Sequence, residues 1–105
     1  MEQANFSYID VLSDGDNSFK QKLIEIVKNE LPGEIEIYEQ NMANLKFQDA
    51  AENVHKLKHK ISILGMEESY QVAVNYEEDL KKNSLDLRES FEKILMQMIQ
   101  FINKI

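Results

Sequence analysis

The chain has 105 residues, 43% apolar and 30% charged, with a net charge of −7 and no cysteine. That length supports one domain, residues 1–105, with its own core and not two; disulfides, thiolate metal ligands and thiol nucleophiles are excluded. No run approaches the roughly 20 apolar residues of a membrane span, the first five residues lack the basic start and apolar run of a leader, and an acidic chain is a poor sequence-independent binder of nucleic acid; a cytoplasmic protein with no membrane insertion is expected.

With one proline and three glycines, the sequence has few breaks in regular structure. A short helix is expected over about 6–12, closed by the turn cluster Ser13-Asp14-Gly15. Asp16 then caps a helix over about 16–45 whose apolar positions Phe19, Leu23, Ile26, Val27 and Leu31 resume after Pro32-Gly33 at Ile35, Tyr38, Met42 and Leu45; a bend is expected at Pro32. The next helix, about 47–64, carries Ala50, Val54, Leu57, Ile61 and Leu64 at alternating spacings of four and three, and Gly65 ends it. A helix over about 67–82 presents Val72, Ala73, Tyr76 and Leu80 before Asn83-Ser84 breaks the pattern. Asp86 and Glu89 suggest a capping box for the last helix, about 86–104, with Leu87, Phe91, Ile94, Leu95, Met98, Ile102 and Ile105 on one side. Four amphipathic segments with short connections imply an all-α, antiparallel up-and-down four-helix bundle preceded by a short helix. No further apolar stripe demands self-association, so a monomer is expected.

The segment 55–65, His-Lys-Leu-Lys-His-Lys-Ile-Ser-Ile-Leu-Gly, is free of acid inside an acidic chain. A group placed there should be an anion. At about 100° per residue the apolar stripe centres roughly 140° from His55, which therefore points to solvent, with His59 and Ser62 within roughly 40° of its direction and Lys58 within roughly 60°. An exposed neutral imidazole is a nucleophile, and the lysine beside it favours an arriving phosphate. By contrast, the acidic Glu77-Glu78-Asp79 reads as a solvated face, the methionines Met42, Met96 and Met98 as core filler, and Tyr8, Tyr38, Tyr70 and Tyr76 as packed rings with hydroxyls at the surface.

His55, Leu57, Lys58, Leu64 and Gly65 resemble the signature of histidine-containing phosphotransfer (HPt) domains, in which His-x-Leu-Lys is followed by a small residue and later by Leu-Gly; Tyr76-Glu77 resembles the apolar-Glu pair of the family's following helix. The resemblance implies that His55 carries a phosphoryl group passed between receiver-domain aspartates, that Lys58 neutralises the phosphate, and that Ala51, His59 and Ser62 help dock the partner. It implies response-regulator receiver domains and a hybrid sensor kinase as partners. The chain has no nucleotide loop and no acids placed to hold magnesium beside His55, so it needs no cofactor of its own and Mg2+ is expected from the receiver. It is then a phosphocarrier and not a kinase. His59 departs from the family's usual small residue one turn after the acceptor. Two alternatives stand beside this reading: a helical adaptor without phosphoryl chemistry, and a metal-binding module through His55 and His59 with Glu52 as third ligand, disfavoured by the interleaved lysines.

Overall fold

Asp16 supplies the first fixed point of the fold, since its carboxylate accepts from the Phe19 backbone N–H at 3.1 Å and starts the longest helix. The computed structural model describes residues 2–105, and among these the regular structure is five helices with no strand: α1 Ser7–Ser13, α2 Asn17–Ala43, α3 Phe47–Ile63, α4 Glu67–Lys81 and α5 Arg88–Ile102. Pro32 sits inside α2, which continues through it as one helix. The expected capping box at Asp86 and Glu89 does not form: Asp86 lies in a turn, α5 starts two residues later, and no side chain caps it.

Three helices stop in the same way. At the end of α3 the Met66 N–H bonds the Ile61 carbonyl (3.2 Å) and the Gly65 N–H bonds that of Ser62 (3.0 Å), with Gly65 at φ 74°. This is the Schellman closure, which needs one residue of left-handed backbone. Asn83 (φ 63°) plays that part after α4 and Leu45 (φ 59°) after α2. A Cβ at Gly65 would also meet the Asn5 side chain, which would have to move to admit it.

α2 packs on α3, α3 on α4, α4 on α5, and α5 back on α2, while α1 lies against α2 and α3. The core between them holds Leu31, Tyr38 and Met42 of α2, Val54, Leu57 and Ile61 of α3, Ala73, Tyr76 and Leu80 of α4, and Phe91, Leu95 and Met98 of α5. The α3 stripe from Ala50 to Leu64 is buried as its spacing requires. On α2 the buried stripe begins at Ile24 and not at Leu23, and Phe19 and Ile26 are left outside. Met96 also faces outward on α5.

Tyr38 and Tyr76 are fully buried, contrary to the expectation of surface hydroxyls. Their hydroxyls lie 2.7 Å apart, Tyr38 donates to Glu92 Oε2 at 2.9 Å, and Arg88 Nε donates to the same oxygen at 2.9 Å. Burial makes this pairing obligatory, since an unpartnered hydroxyl in the core would lose its water without compensation. Burial, Tyr76 and Glu92 together push the Tyr38 hydroxyl far above its ordinary pKa. The network ties α2, α4 and α5 at one level.

Candidate functional site on the third helix

Around the axis of α3 the buried stripe has two flanks. One, with Asn53 and Lys60, meets α2: Asn41 Nδ2 donates to Asn53 Oδ1 at 2.6 Å, and Lys60 pairs with Glu30 and Glu34. The other, with Ala51, His55 and Lys58, turns toward α4, where the only side chain that reaches all the way across with charge is Glu77 among the described residues.

His55 keeps 57% of its side-chain surface exposed. Its Nδ1 stands 3.2 Å and 3.3 Å from the two oxygens of Glu77, so the carboxylate accepts from an Nδ1–H. Nε2 has no protein hydrogen-bond partner among the described residues. The Glu77 side chain is only 9% exposed and also takes Lys58 Nζ at 2.8 Å and, more loosely, Lys81 Nζ at 3.6 Å. Burial alone would raise the Glu77 carboxyl; the hydrogen bond and charge of Lys58, followed by His55, outweigh it and hold the group below the usual carboxylate range.

Three expectations change with this geometry. Ala51 is buried in the core under α4, so it offers nothing to a docking partner. Lys58 is no free cation beside the imidazole: its side chain is 13% exposed, bonded to Glu77, with Nζ 5.8 Å from the centre of the Tyr70 ring. Glu77, placed with its neighbours on a solvated face, is instead buried, and of that run only Glu78 is fully exposed. The helical spacing of α4 contains the reason, for Glu77 comes four residues after the buried Ala73 and three before the buried Leu80 and so lies at the edge of the buried stripe.

His59 and Ser62 are exposed as expected. The His59 ring meets His55 edge to face, centroids 5.6 Å apart at 88°. Ser62 borders a shallow depression of about 210 Å3 shared with Tyr8 of α1, Gly65, and Glu67 and Tyr70 of α4. Tyr8 and Tyr70 were not singled out as site residues from the sequence, and no spacing rule links them to His55. Among the described residues no three His, Asp or Glu side chains gather as a metal site, and Glu77 rather than Glu52 approaches His55. A wider groove of about 610 Å3 runs between α2 and α5, away from both histidines; its Arg88, Glu92 and Tyr38 satisfy one another. No helix among the described residues is long and apolar enough to cross a membrane.

No protein-family model matches the chain, and no curated protein and no solved structure matches it.

Proposed function

We propose that the chain is a cytoplasmic phosphocarrier of the HPt kind, an antiparallel up-and-down four-helix bundle of α2 to α5 behind the short α1, that receives a phosphoryl group on His55 from a receiver-domain aspartyl phosphate and hands it to another receiver. One observation carries the reading: a solvent-facing imidazole held through Nδ1 by a buried carboxylate, with Nε2 left open. A hydrogen bond from Nδ1 fixes the tautomer in which Nε2 bears the lone pair.

The step balances without further reactants. The Nε2 lone pair attacks phosphorus in line, the bond from phosphorus to the aspartyl oxygen breaks, and the aspartate leaves with that electron pair as a carboxylate. The ring keeps its Nδ1 proton and gains positive charge, which Glu77 offsets, as a carboxylate behind a catalytic imidazole does in general. Lys58 acts through Glu77 as a positioning residue, and Lys81, about half exposed and paired with Glu78, borders the site. The receiver supplies Mg2+ and the acceptor aspartate. His59, Ser62, Tyr8 and Tyr70 form the surface it meets.

The test is incubation with phosphorylated receiver domains. The expected product is a label on the chain that is labile in acid and stable in base, absent from His55→Gln, with far-UV circular dichroism unchanged because the position is exposed. A labelled His55→Gln would overturn the assignment of the acceptor. Receiver binding with no covalent label would replace the carrier by an adaptor.

A further inference from the structure

Once His55 carries a phosphoryl group, three strong acceptor oxygens stand at the surface of α3, and most of the cations nearby are already engaged. Of the lysines interleaved with the two histidines, Lys58 is 13% exposed and bonded to Glu77, and Lys60 is held by Glu30 and Glu34 on the opposite flank. Lys81 of α4 pairs with Glu78. Lys56 is exposed, but it leaves the helix roughly 100° round from His55. Ser62 shares the His55 direction, yet it lies two turns on, roughly 10 Å along the axis.

His59 combines the two requirements, standing one turn on, roughly 6 Å along the axis, and within roughly 40° of the His55 direction. Its ring already meets that of His55 edge to face, with centroids 5.6 Å apart, and it is exposed, with no hydrogen bond or ion pair of its own among the described residues. Glu77 takes Nδ1 of His55, so phosphorus bonds to Nε2, the nitrogen that does not face the carboxylate. Either protonation state of His59 serves, because a neutral imidazole keeps one N–H and an imidazolium has two.

We propose that His59 is a phosphate-binding residue: with His55 phosphorylated, the His59 ring turns to donate an N–H to one of the phosphoryl oxygens. The inference rests on the phosphocarrier reading and deepens it, since it gives His59 a bond to the transferred group in addition to its place on the docking surface. A hydrogen bond to an ionised acceptor is among the stronger kinds, and this one exists only after transfer. It therefore lowers the free energy of the phosphorylated chain and moves the partition of the phosphoryl group between receiver and carrier toward the carrier. A second ring beside the acceptor also fills space, but an apolar ring would do that equally well; the N–H is what distinguishes histidine.

Two measurements test the contact, one of them without any receiver. The full chain is labelled with phosphoramidate, a small P–N donor whose ammonia leaves as phosphorus bonds to the ring, and the singly labelled product mapped to His55 is kept. Its His59 ring 15N resonances should differ from those of the unlabelled chain; unchanged resonances would overturn the proposal. At equilibrium with a phosphorylated receiver, the ratio of label on the chain to label on the receiver should be about fivefold lower in His59→Phe, the scale of one hydrogen bond, while His59→Gln, which keeps an N–H donor, should retain most of it. Equal retention by His59→Phe would reduce His59 to bulk and overturn the proposal. If phosphoramidate labels His55 and shifts the His59 resonances while no receiver labels the chain, the carrier reading falls and the contact stands.

Discussion

Lys58 and Lys60 stand two residues apart on α3 and both are largely withdrawn from water, yet they end in different chemistry. Toward α2, Lys60 faces two carboxylates, Glu30 at 2.9 Å and Glu34 at 3.1 Å. Burial alone would lower the Lys60 pKa; the two glutamates outweigh it and raise it. Negative charge is left over there. Toward α4 the arrangement differs: Glu77 takes Lys58 and the His55 ring, while Lys81 reaches it only at 3.6 Å and pairs with Glu78 at 3.3 Å. Both flanks use ion pairs to join helices, but only the second places an open ring nitrogen beside its ion pair, which is what attack on an incoming phosphoryl group requires. The difference between a structural ion pair and a reactive one lies here in access, with the residue types nearly the same.

Breaking the second flank should have the largest effect. Glu77→Gln keeps the volume but removes the charge behind His55; phosphoryl transfer should slow by about 100-fold, or about 2.7 kcal/mol of barrier. A rate like that of the unaltered chain, measured with the same phospho-receiver, would remove Glu77 from the mechanism. A smaller contrast separates the lysines. Lys58→Met strands a buried carboxylate and should cost about 2 kcal/mol in urea unfolding while slowing transfer. Lys60→Met should cost less, about 1 kcal/mol, because Glu30 is 56% exposed and can return to water while only Glu34, 24% exposed, is left beside an apolar side chain, and it should leave the rate unchanged.

The smallest expected effect is in acid. Folding lowers the Glu77 pKa, so near the ordinary carboxylate range the unfolded chain binds more protons than the folded one. The stabilisation is complete above that range and is lost as pH falls through the lowered folded value. Unfolding free energy followed downward from neutral pH should therefore decline less steeply in Glu77→Gln than in the unaltered chain; identical slopes would show that this carboxyl does not contribute.

The sequence makes the helices legible because apolar spacing and the Gly65 stop are both local signals. The outward direction of His55 followed from the same periodicity. What escaped it depended on neighbours. Whether Leu23 or Ile24 turns inward is decided by where α3 and α5 lie around α2. Leu45 adopts a left-handed conformation that no residue-type preference announces; the Schellman closure after α2 imposes it. Ala51 was expected to help dock a partner on the strength of the resemblance alone, but the fold buries it in the core. Glu77 could be found only through its resemblance to a family pattern, since a carboxylate 22 residues from His55 has no periodic relation to it across a turn.

The start of α4 carries a last consequence. The Glu2 carboxylate accepts from the backbone N–H groups of Glu68 and Ser69 at 2.9 and 2.8 Å, and the Asn5 N–H bonds the Leu64 carbonyl at 2.8 Å. The hairpin that brings His55 to Glu77 is thus sealed at its tip by a strap some sixty residues distant in sequence. Because short-range contacts close sooner than long-range ones, the hairpin should assemble with an open tip, and its last amides become sheltered from exchange only when that strap arrives.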